Sequence, residues 1–337
     1  MPVKDLSPPA RMAIIGAAVV IILAGIRAAT PILGPFLVAV FFAMITAPVM
    51  AWLRRRGVPP AIAAGTVVAG LIGILVGAAL FLWAAFTQFL RALPRYLTAL
   101  EREAAGYGIN LDNFRIWDFI DQGTAIQQAA GLARDVGNIA LDAFLVAIAI
   151  AFLLIEAPRL AAGLKRRFGA DNALYQHFSQ SGRILIDYVI VRTKVNLVTG
   201  TGTGIFLYIF GIEFAVLWGF VAFVLSYVPY IGLVVAAIPP TLLALVSFGP
   251  AGAVTVIIAI ALIDAAAENL VFPQIASQGL NLSPFVVLFS VLFWALILGA
   301  VGVFLAIPLT IAVKLFLESW EETRWIGEMM NARDREE

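Results

Sequence analysis

The chain has no cysteine and only one histidine, His177, among its 337 residues. Without cysteine there is no disulfide, no thiolate metal centre and no thiol nucleophile. One histidine excludes an HExxH zinc site and leaves no partnered histidine for a hydrolase triad of the usual kind; His177 is read as an ordinary surface or interface residue. Charge is scarce as well. Charged residues make up 13% of the chain, against roughly 25% in a soluble domain. With a net charge of +1 there is no basic field for nucleic acid, and none is expected as a partner.

Apolar residues fill the gap, at 62% of the chain with a mean hydropathy of +0.99. Such a chain would aggregate in water, so membrane lipid is its solvent. Its length allows about six to nine spans of roughly 20 residues. Long uncharged runs exclude an outer-membrane barrel, whose strands alternate apolar and polar residues. The expected fold class is all-α: a polytopic helical membrane protein with about eight membrane segments.

Residues 1–90 read as a three-span region. Arg27 and Pro31 flank the place where a signal peptide would be cut, so the first span, about 12–29, is read as retained. The second, about 32–53, ends in Arg54-Arg55-Arg56, a cytoplasmic anchor. The third, about 60–89, carries Gly65, Gly70, Gly73 and Gly77, which suggests close packing on another helix. Residues 91–137 hold five Lys/Arg and six Asp/Glu and read as a small extracytoplasmic domain. A fourth span and basic loop occupy 138–170, with Arg159, Lys165, Arg166 and Arg167 on the inside. Residues 171–194 are amphipathic, either a helix on the inner membrane surface or a linker helix packed on its own protein. A core at 195–317 and a tail at 318–337 follow. This topology puts both termini in the cytoplasm of a bacterial cell with the chain in the inner membrane.

The core carries most of the information. Between Val195 and Val313 the charged residues are Glu213, Asp264 and Glu268, with no Lys or Arg in that stretch to pair with them. Two of its segments resemble each other. Phe214-Ala-Val-Leu-Trp-Gly leads through Tyr227-Val-Pro-Tyr-Ile-Gly232 to Pro239, and Phe285-Val-Val-Leu-Phe-Ser leads through Gly299-Ala-Val-Gly302 to Pro308. Each follows a simpler span, giving repeats of about 195–248 and 251–317. Such segments are long for one span and short for two, so each is read as a broken, re-entrant hairpin, with two kinked full spans as the alternative. Hairpins make each unit cross once, which inverts the second copy, a recurrent carrier plan.

Asp264 and Glu268 are four apart and share a helix face. An ionised carboxylate in lipid needs water, a cation or a proton, so the pair is a candidate proton or Na⁺ site, with Asn269 and Gln274 as neutral ligands. Glu268 reaching the interface as a plain helix anchor is the alternative. Pro229, Gly232, Pro239 and Pro240 mark the first hairpin, and Gly299, Gly302 and Pro308 the second; all seven are candidates for the substrate pathway. Gly200 and Gly204 form a GxxxG packing face, and Glu213 reads as solvated at an outer turn. No catalytic constellation, cofactor motif or metal cluster is visible.

These residues resemble the AI-2E family of transporters. The likeness spans nearly the whole chain and is strongest in Phe-Gly-Ile-Glu-Phe-Ala-Val-Leu-Trp-Gly (210–219), Tyr-Val-Pro-Tyr-Ile-Gly (227–232), Glu-Asn-Leu-Val-Phe-Pro (268–273) and Leu-Ala-Ile-Pro-Leu (305–309). The resemblance implies eight-segment homo-oligomers, pentamers, moving in an elevator-like manner. Ala266-Ala267 departs from the family pattern, where relatives carry bulkier residues, so the local pocket shape does not carry over. Some relatives are linked to export of the signal autoinducer-2 and others to sodium/proton exchange, so the family name does not identify the solute. The expected function is a secondary transporter or exporter of a small solute or ion, coupled to H⁺ or Na⁺. A passive channel and a membrane scaffold are the alternatives, and an enzyme is not expected.

Overall fold

The computed structural model describes residues 7–106, 136–169, 172–271 and 282–331. Gln274 and most of the expected extracytoplasmic domain lie outside these residues. The described elements are helices, apart from an isolated bridge between Leu282 and Asn331. Five of them are long and apolar enough to cross a membrane, and shorter apolar helices accompany them.

Helix α1 (Pro8–Ala28) meets α2 (Thr30–Arg55) at Ala29, and Pro31 falls in the first turn of α2, where its missing N–H leaves no bond unmade. After the arginine cluster the chain turns at Gly57 and starts α3 (Pro60–Gly106) on a proline. Met50 of α2 and Ala63, Ala64 and Val67 of α3 share one core with Ile150 and Leu154 of α4 (Val136–Phe168), so α2 and α3 run antiparallel. Helix α3 does not stop near residue 89. Its 47 residues span about 70 Å, so the polar residues after Arg91 begin as a continuation of the span. Among the described residues of the chain, a Cβ added to Gly65, Gly70, Gly73 or Gly77 would touch nothing within 4 Å, so these glycines do not pack on another of its described helices.

Helix α5 (Ala173–Phe210) is also continuous, joining the amphipathic stretch to the following span. No proline interrupts it, and it is buried on two faces: Val189 packs with Phe41 and Tyr227, and Val191 and Val195 pack with Ala267. Tyr188, Arg192 and Thr193 therefore lie within the bundle rather than on a separate surface helix, while Lys194 stays exposed.

Both repeated segments fold back on themselves. In the first, α6 (Ala215–Leu225) leads through a turn to α7 (Gly232–Val271), which is broken at Gly249. The Phe248 ring, at the end of the return arm, lies 5.0 Å from that of Phe210, just before the outgoing arm, so the chain comes back to its starting level. In the second, α8 (Pro284–Glu318) is broken at Gly299 (φ 63°, ψ −141°). Trp294 Nε1 donates to Thr310 Oγ1 at 3.0 Å. A straight helix would hold those residues about 24 Å apart, so the two arms lie side by side. Each turn requires glycine for close approach. A Cβ on Gly232 would sit 1.7 Å from the Leu225 carbonyl oxygen, and one on Gly302 2.0 Å from that of Trp294.

The hairpins enter from opposite ends. Phe214 and Trp218, at the base of the first, pack on Phe89, far along α3 from the arginine cluster. The tip of the second lies at that same far end, where Thr30 Oγ1, at the start of α2, donates to Ile297 O at 3.2 Å. The base of the second hairpin is held by α9 (Glu321–Met329): Ser283 N donates to Met330 O, and Gly327 packs against Glu318. Between the tips, the rings of Phe41, Tyr227 and Phe304 form a knot with centroids 4.6–5.5 Å apart.

Alanine at Gly232 or Gly302 is expected to abolish the monodisperse detergent-extracted peak, because overpacking against rigid backbone exceeds the usual cost of about 1–3 kcal/mol. Alanine at Gly77 is expected to leave it intact. Fluorescence-detected size exclusion of tagged variants checks both.

Candidate functional site: a charged cleft between the hairpins

The two hairpins enclose a cleft of about 550 Å³. Tyr188 and Arg192 of α5 line one wall, and Ser226, Pro229 and Tyr230 supply the tip of the first hairpin. Asp264 and Glu268 come from the last turns of α7, and Val287, Ile307 and Ile311 from the second hairpin. A larger cleft of about 900 Å³ lies between Lys165 and the start of α5, but it touches neither hairpin.

Arg192 organises the site. Its guanidinium donates to Glu268 Oε1 and to the backbone oxygen of Ser226, tying the end of α7 to the hairpin tip. The two side chains are 14% and 35% exposed, so this pair is far less hydrated than a surface one. Tyr227 Oη donates to Thr193 Oγ1 at 2.8 Å and fixes the tip a second time. Tyr230 holds φ +63°, a left-handed conformation costing a non-glycine residue about 1–2 kcal/mol. Such strain persists only where the surroundings fix it, as Arg192 and Thr193 do here.

Asp264 is held differently. Thr199 Oγ1 donates to its Oδ1 at 3.3 Å, and the carboxylate is half-buried. Counting formal charges, one cation faces two carboxylates, and Arg192 is committed to Glu268. The cleft therefore carries one negative charge without a side-chain counterpart when both acids are ionised.

The structure brings together Asp264, Glu268 and Pro229 among the residues singled out from sequence. Gly232 lies at the turn against Leu225, while Pro239 and Pro240 sit about two turns along the return arm, away from the cleft wall. Gly299 and Gly302 shape the second tip, and Pro308 lies beside Ile307; none of the three lines the cleft. Asn269 is exposed and donates to Ala265 O of its own helix. Five residues after Asp264, it is about 140° away around the helix and cannot share its face. Glu213 is not simply solvated: Arg95 Nη2 donates to both its carboxylate oxygens, at 3.0 and 2.9 Å.

Sequence reasoning missed Arg192, Tyr188, Ser226 and Thr199. Arg192 lies three residues before the Val195–Val313 stretch, in a segment whose amphipathic pattern fits a surface helix and a linker helix packed on its own protein equally well. The available signal was the 3–4 spacing of Arg192, Asn196, Thr199 and Thr203, a polar strip on an otherwise apolar helix.

Fold and site define a class: a multi-pass helical membrane protein with two oppositely inserted hairpins around a charged cleft. The chain belongs to the AI-2E transporter family, which it matches over residues 17–322. It is 31% identical to the AI-2 transport protein TqsA of Escherichia coli (strain K12), over 94% of each chain. It is 29% identical to "Putative transport protein YhhT" of the same organism, over 90% of this chain and 89% of the relative. To "Putative transport protein YrrI" of Bacillus subtilis (strain 168) it is 23% identical, over 84% and 85%. It is thus a transporter of a bacterial membrane, and apolar side chains such as Ile209 at 78% and Phe285 at 76% exposure give it the apolar surface of a membrane protein.

Removing one partner of a buried ion pair strands the other. Arg192→Gln and Glu268→Gln are each expected to lower stability by about 2 kcal/mol, and the double variant by less than the sum. Arg95→Ala, which breaks an exposed pair, is expected to cost under about 1 kcal/mol. A thermal-unfolding double-mutant cycle in detergent measures these effects.

Proposed function

We propose that this protein is a secondary transporter that carries a small polar solute through the cleft between its hairpins, coupled to H⁺ or Na⁺ at Asp264. One observation carries this reading: the charged residues of α5 and α7 converge with both hairpins on a single cleft. Polar groups in lipid are costly and cluster where a pathway needs them. Interrupted helices beside such a cleft expose carbonyls and helix ends to a solute.

Arg192 and Glu268 neutralise one another, so Asp264 is the group whose charge responds to a proton or ion. Neutralising it removes the net charge of the cleft and changes how readily the hairpins close over it. Elevator-like motion of the hairpin unit, a homo-oligomeric (pentameric) scaffold and cytoplasmic termini belong to the same proposal. The basic clusters at Arg54–Arg56 and Lys165–Arg167 support that sidedness under the positive-inside rule. No chemistry on the solute is involved. One relative is named for AI-2 transport, so a small polar solute of that kind is the first to test.

In proteoliposomes with an imposed proton or sodium gradient, wild-type uptake is expected to saturate and to depend on the gradient. Asp264→Asn is expected to abolish gradient dependence while leaving solute exchange measurable. Gradient-driven uptake unchanged in Asp264→Asn would remove Asp264 from coupling, and non-saturating flux would indicate a channel instead.

A further inference from the structure

Four polar residues of α5 share one strip of its surface. With Arg192 as origin, Asn196, Thr199 and Thr203 all fall within about 40° of it at 100° per residue. Two glycines bracket the strip. Gly200, about 80° to one side, packs on α6, where an added Cβ would lie 2.6 Å from Phe223 Cβ. Gly202, about 80° to the other side, packs on α7, where an added Cβ would lie 2.8 Å from Ile263 Cγ2. The strip therefore faces the seam between α6 and the second half of α7.

The seam is closed to solvent. Asn196 and Thr199 are 0% exposed and Thr203 is 1% exposed. Asp264 enters it from α7 and meets the Thr199 hydroxyl. Among the described residues, both polar atoms of the Asn196 amide and the Thr203 hydroxyl have no hydrogen-bond partner. Buried polar groups left unpaired cost about 1–3 kcal/mol each, and here they line up beside the carboxylate that has no counter-charge. A proton on Asp264 would neutralise the charge but leave the Asn196 oxygen unused. A dehydrated monovalent cation takes the Asp264 carboxylate with the Thr199 hydroxyl and the Asn196 amide oxygen, one turn apart, because carboxylate, amide and hydroxyl oxygens are the donors that hard cations take; Thr203, about 10 Å along the helix from Asn196, is too far to share that ion.

We propose that the seam is a Na⁺ site in which Asp264 supplies the charge and the Thr199 hydroxyl and Asn196 amide oxygen supply neutral donors, with the Thr203 hydroxyl one turn further on. This rests on the reading of Asp264 as the coupling group, and it moves the neutral ligands from α7, where Asn269 faces away, to α5. The ion sits beside the solute cleft rather than in it. Asp264 borders both, so filling the seam cancels the unbalanced charge on the cleft wall.

The test is thermal unfolding of the purified full-length protein in detergent, titrated with NaCl against choline chloride at constant ionic strength, with KCl as a selectivity control. A saturable, Na⁺-specific stabilisation is expected in the wild type. Its midpoint is expected to weaken by about tenfold or more in Asn196→Ala and Thr199→Val, to recover in Thr199→Ser, and to stay unchanged in Asn269→Ala. If Asn196→Ala does not fold, the Thr199→Val and Thr199→Ser pair decides, since the two differ by one hydroxyl. No Na⁺-specific response in the wild type, or one that Thr199→Val leaves unchanged, overturns the site. Should that happen while Asp264→Asn still abolishes gradient-driven uptake, Asp264 works as a proton carrier and only the Na⁺ site falls. A Na⁺ response that depends on Thr199, with uptake indifferent to Asp264→Asn, keeps the site and removes its coupling to transport.

Discussion

Backbone that leaves a helix within lipid must be covered by protein, and this constraint organises the molecule. Both hairpins interrupt their helices inside the bundle. The first tip meets the constraint by internal turns, such as Gly232 N to Val228 O, and by giving the Ser226 carbonyl to Arg192. Arg192 is itself a charge that lipid will not accept, so it brings Glu268 with it. The turn of the hairpin, the position of Arg192 and the position of Glu268 thus form one chain of requirements that ends at the cleft.

The ion pairs of the protein differ because their surroundings differ. Arg95 and Glu213 are 64% and 54% exposed and lie where water screens them. Lys314, 5% exposed, reaches Glu318 at 3.4 Å near the base of the second hairpin, where the pair compensates a buried ammonium. Arg192 and Glu268 serve a buried turn. Asp264 stands apart from these three pairs with a hydroxyl for a neighbour, and on that difference rests the proposal that it responds to an ion.

Much of the architecture was legible from residue order. The Phe-x-Val-Leu starts and the Gly232 and Gly302 turns pointed to two hairpins, because only glycine lets two arms approach so closely. Gly200 also packs as its spacing suggested, with Gly219 and Phe223 directly against it. The glycines of α3 meet no helix among the described residues, because helix phase alone does not say which face finds a partner within the chain. Arg192 was misread because an amphipathic pattern looks the same whether its polar side meets headgroups or a polar cleft. Periodicity gives the face, but which element packs against that face is a tertiary fact. Asn269 is the opposite case: its phase relative to Asp264 already excluded it, since five residues turn a helix well away from the starting face.

The inverted repeat supplies a symmetric frame, but the chemistry placed on it is asymmetric. The first hairpin tip is tied to a cation and a tyrosine hydroxyl, and it holds a strained Tyr230 in the cleft wall. The second contributes Val287, Ile307 and Ile311, and its tip at Gly299 meets no neighbour that a Cβ would touch within 4 Å. The cleft therefore has a polar wall and an apolar wall, which under the proposed transport are the side that recognises a solute and the side that slides past it. Recognition and movement need those opposite properties, because a wall that bound as tightly as Arg192 binds Ser226 could not also shear. The repeat gives each wall a hairpin, and the polar residues of α5, of the first hairpin tip and of the end of α7 make one wall unlike the other.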